Sequence, residues 1–79
     1  MLTLYERPTC PYCHKVFNAA EALGLMLTKL DIAVPAVAAE LVARGGKRQV
    51  PYLVDNDRGV GMYESEDIVK YLMQNYPHS

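Results

Sequence analysis

The chain holds only two cysteines in 79 residues. That is too few for the disulfide framework on which small secreted domains rely. The two lie two residues apart, and a bridge closing so short a loop removes little chain entropy, so it makes a poor staple. Histidine is equally scarce, with His14 and His78 alone. A closed zinc site needs four ligands, and these two are the only other soft donors. Charge of one sign is also missing: the net charge is −1 and no basic tract occurs. Nothing therefore points to nucleic acid or to a membrane surface. No apolar run reaches the length of a transmembrane helix, and the start lacks the basic and apolar regions of a signal peptide. The expected location is cytoplasmic, where a lone C-x-x-C serves redox or metal chemistry more often than structure. Repeats, low-complexity tracts and linkers are absent too, so residues 1–79 are expected to form one small domain.

What is present reads as globular. Apolar residues make up 51% of the chain and charged residues 22%, a balance that disorder does not show. The chain is organised around Thr9-Cys10-Pro11-Tyr12-Cys13-His14. An apolar strand-like run, Leu2 to Glu6, precedes it, and Arg7-Pro8-Thr9 makes a turn. A helix is predicted from Pro11 to Leu23, with Val16, Phe17, Ala20 and Leu23 as its apolar positions and Gly24 as its stop. The thiol pair thus lies where a strand ends and a helix begins. Helix-start N–H groups lack intrahelical partners and carry the positive end of the dipole. A thiolate there is stabilised. Cys10 is expected to be exposed and nucleophilic, with Cys13 shielded one turn further in.

Met26 to Ile32 reads as a second strand. Pro35 opens a second helix, with Ala38, Leu41 and Val42 on one face, and Gly45-Gly46 ends it. Strand, helix, strand implies a parallel pair with a right-handed crossover. Pro51 to Val54 and Val60 to Tyr63 are short strands around the turn Asp55-Asn56-Asp57-Arg58-Gly59, hence a hairpin. Glu64-Ser65-Glu66-Asp67 opens a last helix, in which Ser65 is a candidate N-cap. Ser65, Ile68, Val69, Leu72 and Tyr76 share its inner face, and Pro77 marks its end. The class is α/β: a four-stranded mixed sheet with three helices, β-α-β-α-β-β-α.

Three chemistries compete for Cys10 and Cys13. The first is dithiol–disulfide exchange, which a C-x-x-C beside a βαβ pattern suggests. The second is haem attachment, since Cys10 to His14 matches C-x-x-C-H, with His14 and Met62 or Met73 as axial ligands. A proline at the helix start and four strands suit a haem-wrapping helical protein badly. The third is zinc, for which His14 and His78 read better as solvated side chains.

Cys-Pro-Tyr-Cys after a short strand resembles the motif of dithiol glutaredoxins, and the likeness extends along the whole chain. Gln49-Val50-Pro51 is similar to that family's Thr-Val-Pro element, in which the proline is cis. Glu64-Ser65 departs from the usual Gly-Gly-x-x-Asp element and resembles the glutathione-binding signature of glutathione transferase N-terminal domains. The resemblance implies a thioredoxin fold of the glutaredoxin type. It also implies a glutathione-dependent oxidoreductase that reduces protein disulfides and glutathione mixed disulfides. In that reading Cys10 is the nucleophile and Cys13 the resolving thiol. Arg7, Tyr12, Arg48, Val50, Pro51, Glu64 and Ser65 contact glutathione, the co-substrate.

Neither a metal nor haem is expected. The implied partners are glutathionylated or disulfide-containing proteins met by a monomer, with no nucleic acid and no membrane. Physical chemistry agrees. Glutathione carries two carboxylates and one amine. Arg7, Lys47, Arg48 and the helix start at Ser65 suit the carboxylates, and Glu64 or Asp67 suits the amine. Rival readings are a thioredoxin-like electron donor, an iron–sulfur carrier using Cys10 and glutathione, which the resemblance implies Pro11 disfavours, and an interaction domain derived from a transferase N-terminal half. A transferase would need a second helical domain, for which these residues leave no room.

Overall fold

A computed structural model describes residues 1–76 of the chain, so the readings placed on Pro77 and His78 lie outside the described residues. The elements follow the expected order: β1 (Leu2–Glu6), α1 (Pro11–Ala22), β2 (Leu27–Asp31), α2 (Pro35–Gly45), β3 (Tyr52–Asp55), β4 (Val60–Met62) and α3 (Ser65–Asn75). The sheet runs β2-β1-β3-β4. β1 is parallel to β2, with Leu2 opposite Leu27 and Glu6 opposite Asp31. It is antiparallel to β3, which pairs antiparallel with β4. This is the four-stranded mixed sheet of a thioredoxin-like α/β fold.

Side-chain alternation along the strands builds two cores. Leu2, Leu4 and Leu53 meet Val16 and Ala20 of α1 and Ile68 and Leu72 of α3. Tyr5, Tyr52 and Val54 point the other way and meet Ile32 and Leu41. Leu4, Leu53, Ile68 and Leu72 are fully buried, each contributing roughly 1.5–3 kcal/mol. The inner stripe of α1 is Cys13, Val16 and Ala20, and that of α3 is Ser65, Ile68 and Leu72. Gly46 caps α2 at φ 86°, the left-handed region that glycine enters without steric penalty.

Several boundaries shift from expectation. Met26 is 91% exposed and lies outside β2. Leu23 is the C-cap of α1 rather than its last residue. Val42, expected beside Leu41, is exposed. α2 buries a narrow stripe of Val37, Ala38 and Leu41, and Val42 sits about 100° further round the helix. Asp55, expected in the hairpin turn, is the last residue of β3 and fully buried. Its carboxylate accepts hydrogen bonds from Tyr71 Oη and Tyr76 Oη, both at 2.6 Å, and from the Asp57 N–H at 3.1 Å. The Arg58 guanidinium stands 3.9 Å away. Burial alone pushes this carboxyl up, but the hydrogen bonds outweigh it and hold Asp55 below the usual carboxylate range. The partner phenol of Tyr71 is pushed up to about 12, by burial and by its bond to Asp55.

Candidate active site

Cys10 occupies the N-cap of α1 with extended backbone, φ −84° and ψ 117°. Three local bonds fix it there. Its N–H donates to Arg7 O at 3.0 Å, its carbonyl accepts from the His14 N–H at 3.1 Å, and its Sγ accepts from the Cys13 N–H at 3.4 Å. Pro11 takes the first helical position, where a missing N–H costs nothing. Both thiols are free; Cys10 is half-buried and Cys13 fully buried. Burial, with further contributions from Cys10 and Glu6, pushes the Cys13 thiol up to about 12. Cys13 is sealed as expected, whereas Cys10, expected to be exposed, is half-buried at the helix cap. His14 is exposed, its Nε2 against the carbonyl of Pro8 and its ring edge-on to Phe17. No cluster of three or more His, Cys, Asp or Glu suited to a metal occurs among the described residues.

Beside this helix start opens a cleft of about 580 Å³. Its walls come from three places far apart in sequence. Tyr12 and Lys15 stand on α1, Gln49, Val50 and Pro51 on the approach to β3, and Glu64, Ser65, Glu66 and Asp67 at the start of α3. The Val50–Pro51 peptide is cis, as the resemblance implied, and Pro51 is buried. Tyr12 is 63% exposed, an aromatic face offered to whatever enters.

The α3 end of the cleft differs from expectation. Glu64, not Ser65, holds the N-cap position, and its side chain caps nothing. Ser65 is already helical and turned inward, 7% exposed. Glu64 has φ 69° and ψ 113°, a backbone state that side chains other than glycine seldom adopt. Its carboxylate accepts from Gln49 Nε2 at 3.3 Å, so two walls of the cleft are joined. Lys15 Nζ lies 3.5 Å from Glu66 Oε1, tying α1 to α3.

The structure thus brings together Tyr12, Val50, Pro51, Glu64 and Ser65 of the expected site. Arg7, Lys47 and Arg48 are exposed and stand outside the cleft lining. The cation that does line it is Lys15, which the sequence reading missed. Its place, one helical turn after Tyr12, was the available signal. Lys47 belongs instead to a tie around Tyr63. The Tyr63 Oη donates to Lys47 O at 2.8 Å and accepts from the Lys47 N–H at 3.1 Å. The Lys47 ammonium lies 5.1 Å from the ring centre. The end of α2 passes so close that a Cβ on Gly45 would collide with the same phenol.

Comparison with known proteins places this geometry. The family described as "Glutathione S-transferase, N-terminal domain" matches residues 4–79. A stringent starvation protein A homolog from Haemophilus influenzae is 27% identical over 78 residues, covering 99% of this chain and 36% of that protein. A delta-class glutathione transferase from Nilaparvata lugens superposes with a TM-score of 0.82 at 29% identity, covering 96% of this chain and 36% of its own. A glutathione transferase homolog from sulfitobacter, solved with bound glutathione, gives a TM-score of 0.80 at 25% identity, covering 98% of this chain and 38% of its own. The chain therefore spans little more than a third of the length of these relatives.

Proposed function

Because the chain belongs to the family of glutathione S-transferase N-terminal domains, we propose that residues 1–79 form a single domain that binds glutathione and carries out thiol–disulfide exchange with it. The observation that carries this reading is a half-buried helix-cap thiol at the start of α1, the helix whose Tyr12 and Lys15 line a preformed cleft, Cys10 itself lying outside the lining. Here Cys13 is held in the next turn, with its N–H on the Cys10 sulfur.

Glutathione fits the cleft by chemistry. The first N–H groups of α3 attract a carboxylate, and Glu64 and Asp67 face the amine of the γ-glutamyl end. The backbone of Val50, beside cis Pro51, pairs with the cysteinyl unit like an added strand. Tyr12 packs beside its sulfur. Arg7 and Arg48, outside the lining, act at longer range on the carboxylates. Cys10 thiolate attacks the disulfide of a glutathionylated protein. Either a second glutathione or Cys13 then releases the product. Potentials of about −200 to −230 mV, those of the glutaredoxins that the Cys-Pro-Tyr-Cys motif resembles, suit exchange with the glutathione pool.

A coupled assay with glutathione, glutathione reductase and a small mixed disulfide tests this directly. Turnover that vanishes in Cys10→Ser supports it, and absence of turnover in the native chain refutes it.

A second reading is favoured by the coverage of the relatives. In it, this domain is the glutathione half of a transferase, where the cleft activates glutathione toward an electrophile. Conjugation of glutathione to a chloronitrobenzene, with no mixed-disulfide turnover, would decide for it.

A further inference from the structure

On the face of the sheet that α2 covers, one phenol has no acceptor. Tyr5 Oη donates to Glu40 Oε1 at 2.6 Å, Tyr63 Oη to Lys47 O at 2.8 Å, and Tyr71 Oη and Tyr76 Oη to Asp55. Tyr52 is 7% exposed, yet its Oη makes no such bond among the described residues. Buried hydroxyls are ordinarily paired, and one that is not calls for a partner from outside the chain. The Tyr52 oxygen is not sealed in protein. Its residue lines a cavity of about 270 Å³, and the hydroxyl opens there.

Strand alternation and one missing side chain make the cavity. Tyr52 and Val54 point to the α2 face, and Gly61 pairs with Val54 across β3 and β4. A side chain at Gly61 would therefore share that face, and a Cβ there would collide with the Tyr52 phenol. Its neighbour Met62 belongs to the other core, so β4 offers bare backbone beside Tyr52. Asn56, Gly59 and Val60 of the hairpin complete one side, and Arg44, from the last turn of α2, stands on the other. Asp55 adds no free charge. Its carboxylate lies on the opposite face from Val54 and is taken up by Tyr71 and Tyr76.

The cation in this wall is held by buried chemistry. Tyr5, 1% exposed, fixes Glu40, and the same Glu40 oxygen accepts from Arg44 Nε at 3.3 Å. A guanidinium has five N–H donors. Glu40 takes that of Nε, and the Tyr5 oxygen faces the group. The other donors find no protein acceptor among the described residues. Free guanidinium N–H groups and a phenol O–H thus border one small space, and all of them donate. A planar pair of oxygens suits such a fork. Glu40 offsets most of the positive charge, so a monoanion fits here better than a dianionic phosphate.

We propose that this cavity is a second binding site, for a small carboxylate with a short apolar tail. The carboxylate accepts hydrogen bonds from the terminal nitrogens of Arg44 and from Tyr52 Oη, and the tail packs on Val54, Val60 and the bare backbone of Gly61. The volume of about 270 Å³ falls below the roughly 300–1,000 Å³ of pockets for drug-sized ligands, which limits the tail to a few carbons. The cavity shares no lining residue with the cleft beside α1, and the proposal owes nothing to the redox reading of Cys10 and Cys13.

Titration with butyrate, followed in proton–nitrogen NMR spectra, tests this. Saturable shifts are expected at the Gly59 and Gly61 amides and at the Arg44 Nε–H. Butyramide, of the same shape but uncharged, is expected to produce none. Tyr52→Phe removes only the hydroxyl and is expected to raise the Kd by up to about tenfold, and Arg44→Gln to raise it by roughly tenfold or more. Inorganic phosphate at matched ionic strength is expected to bind more weakly than butyrate. A lower Kd for phosphate would overturn the carboxylate assignment, as would equal shifts with butyramide. Butyrate shifts confined to the start of α3 would place the anion in the cleft and overturn the second site. Shifts that never saturate, or an equal Kd in the native chain and Arg44→Gln, would overturn it too. The butyramide and phosphate arms use the native chain, so they decide the matter even where a variant fails to fold.

Discussion

Two residues separate Cys10 from Cys13, yet one thiol is partly open to solvent and the other sealed. Cys13→Ser is therefore expected to keep removal of glutathionyl groups and to lose most protein-disulfide reduction, whereas Cys10→Ser should lose both. Assays of each variant on both substrates check this, and alkylation followed by mass spectrometry should label Cys10 first. Glu64 poses a different residue-scale question. Its φ of 69° costs on the order of 1–3 kcal/mol, and strain of that kind persists where a site needs it. Glu64→Gly should relieve it, raising the melting temperature while weakening glutathione. Glu64→Gln should weaken glutathione with the strain retained. Ser65 is not the cap, so Ser65→Ala should raise the glutathione KM by up to about tenfold without the full stability loss of a removed cap. Glutathione titration and thermal scans of all three variants by calorimetry separate binding from stability.

At the scale of elements, α3 is tied to the sheet by a buried carboxylate as well as by its apolar stripe. Asp55 is held below its unfolded value by its hydrogen bonds. The unfolded chain thus binds more protons through that window, and stability is lost as pH falls from about 4 through the folded value. Glu6 acts with opposite sign. Its raised carboxyl means stability lost as pH rises from about 4.3 through the folded value. Urea unfolding across pH should show the acid limb shrink in Asp55→Asn, with a loss of roughly 1.5–3 kcal/mol at neutral pH, and should show the high-pH loss shrink in Glu6→Gln.

The strands and helices themselves were legible, because Pro11, Pro35, Gly24 and Gly46 punctuate them and the apolar spacing fills in between. The helix-start thiols and the walls Tyr12, Val50, Pro51 and Glu64 were legible through local motifs. Asp55 was not, since Asp-Asn-Asp-Arg-Gly has turn composition and its partners Tyr71 and Tyr76 come 16 and 21 residues later. Lys15 and Glu6 escaped for the same reason. One depends on α1 lying beside α3, and the other on the strand and helix faces that happen to meet. The left-handed backbone of Glu64 has no local mark at all, for glycine is the residue that usually announces it.

At the scale of the whole fold, a domain of this size has a thin margin of stability, so a ligand that binds only the folded form should register strongly. Glutathione at about 100 times its Kd is expected to add roughly 2.7 kcal/mol. In a domain of this size that raises the melting temperature by about 10–20 °C, readable by scanning calorimetry. No such rise with glutathione would refute the binding proposal. Tyr63 governs how that ligand meets its site. One phenol holds the Lys47 backbone through both its N–H and its carbonyl, and the next residue in the chain is Glu64. The segment leading to Val50 and the turn carrying Glu64 are therefore positioned by the same side chain. In Tyr63→Phe the cleft becomes one conformer among several, and the apparent Kd rises by the inverse of the fraction still assembled. That penalty falls on capture: the association rate drops by this fraction, while bound glutathione departs at its former rate.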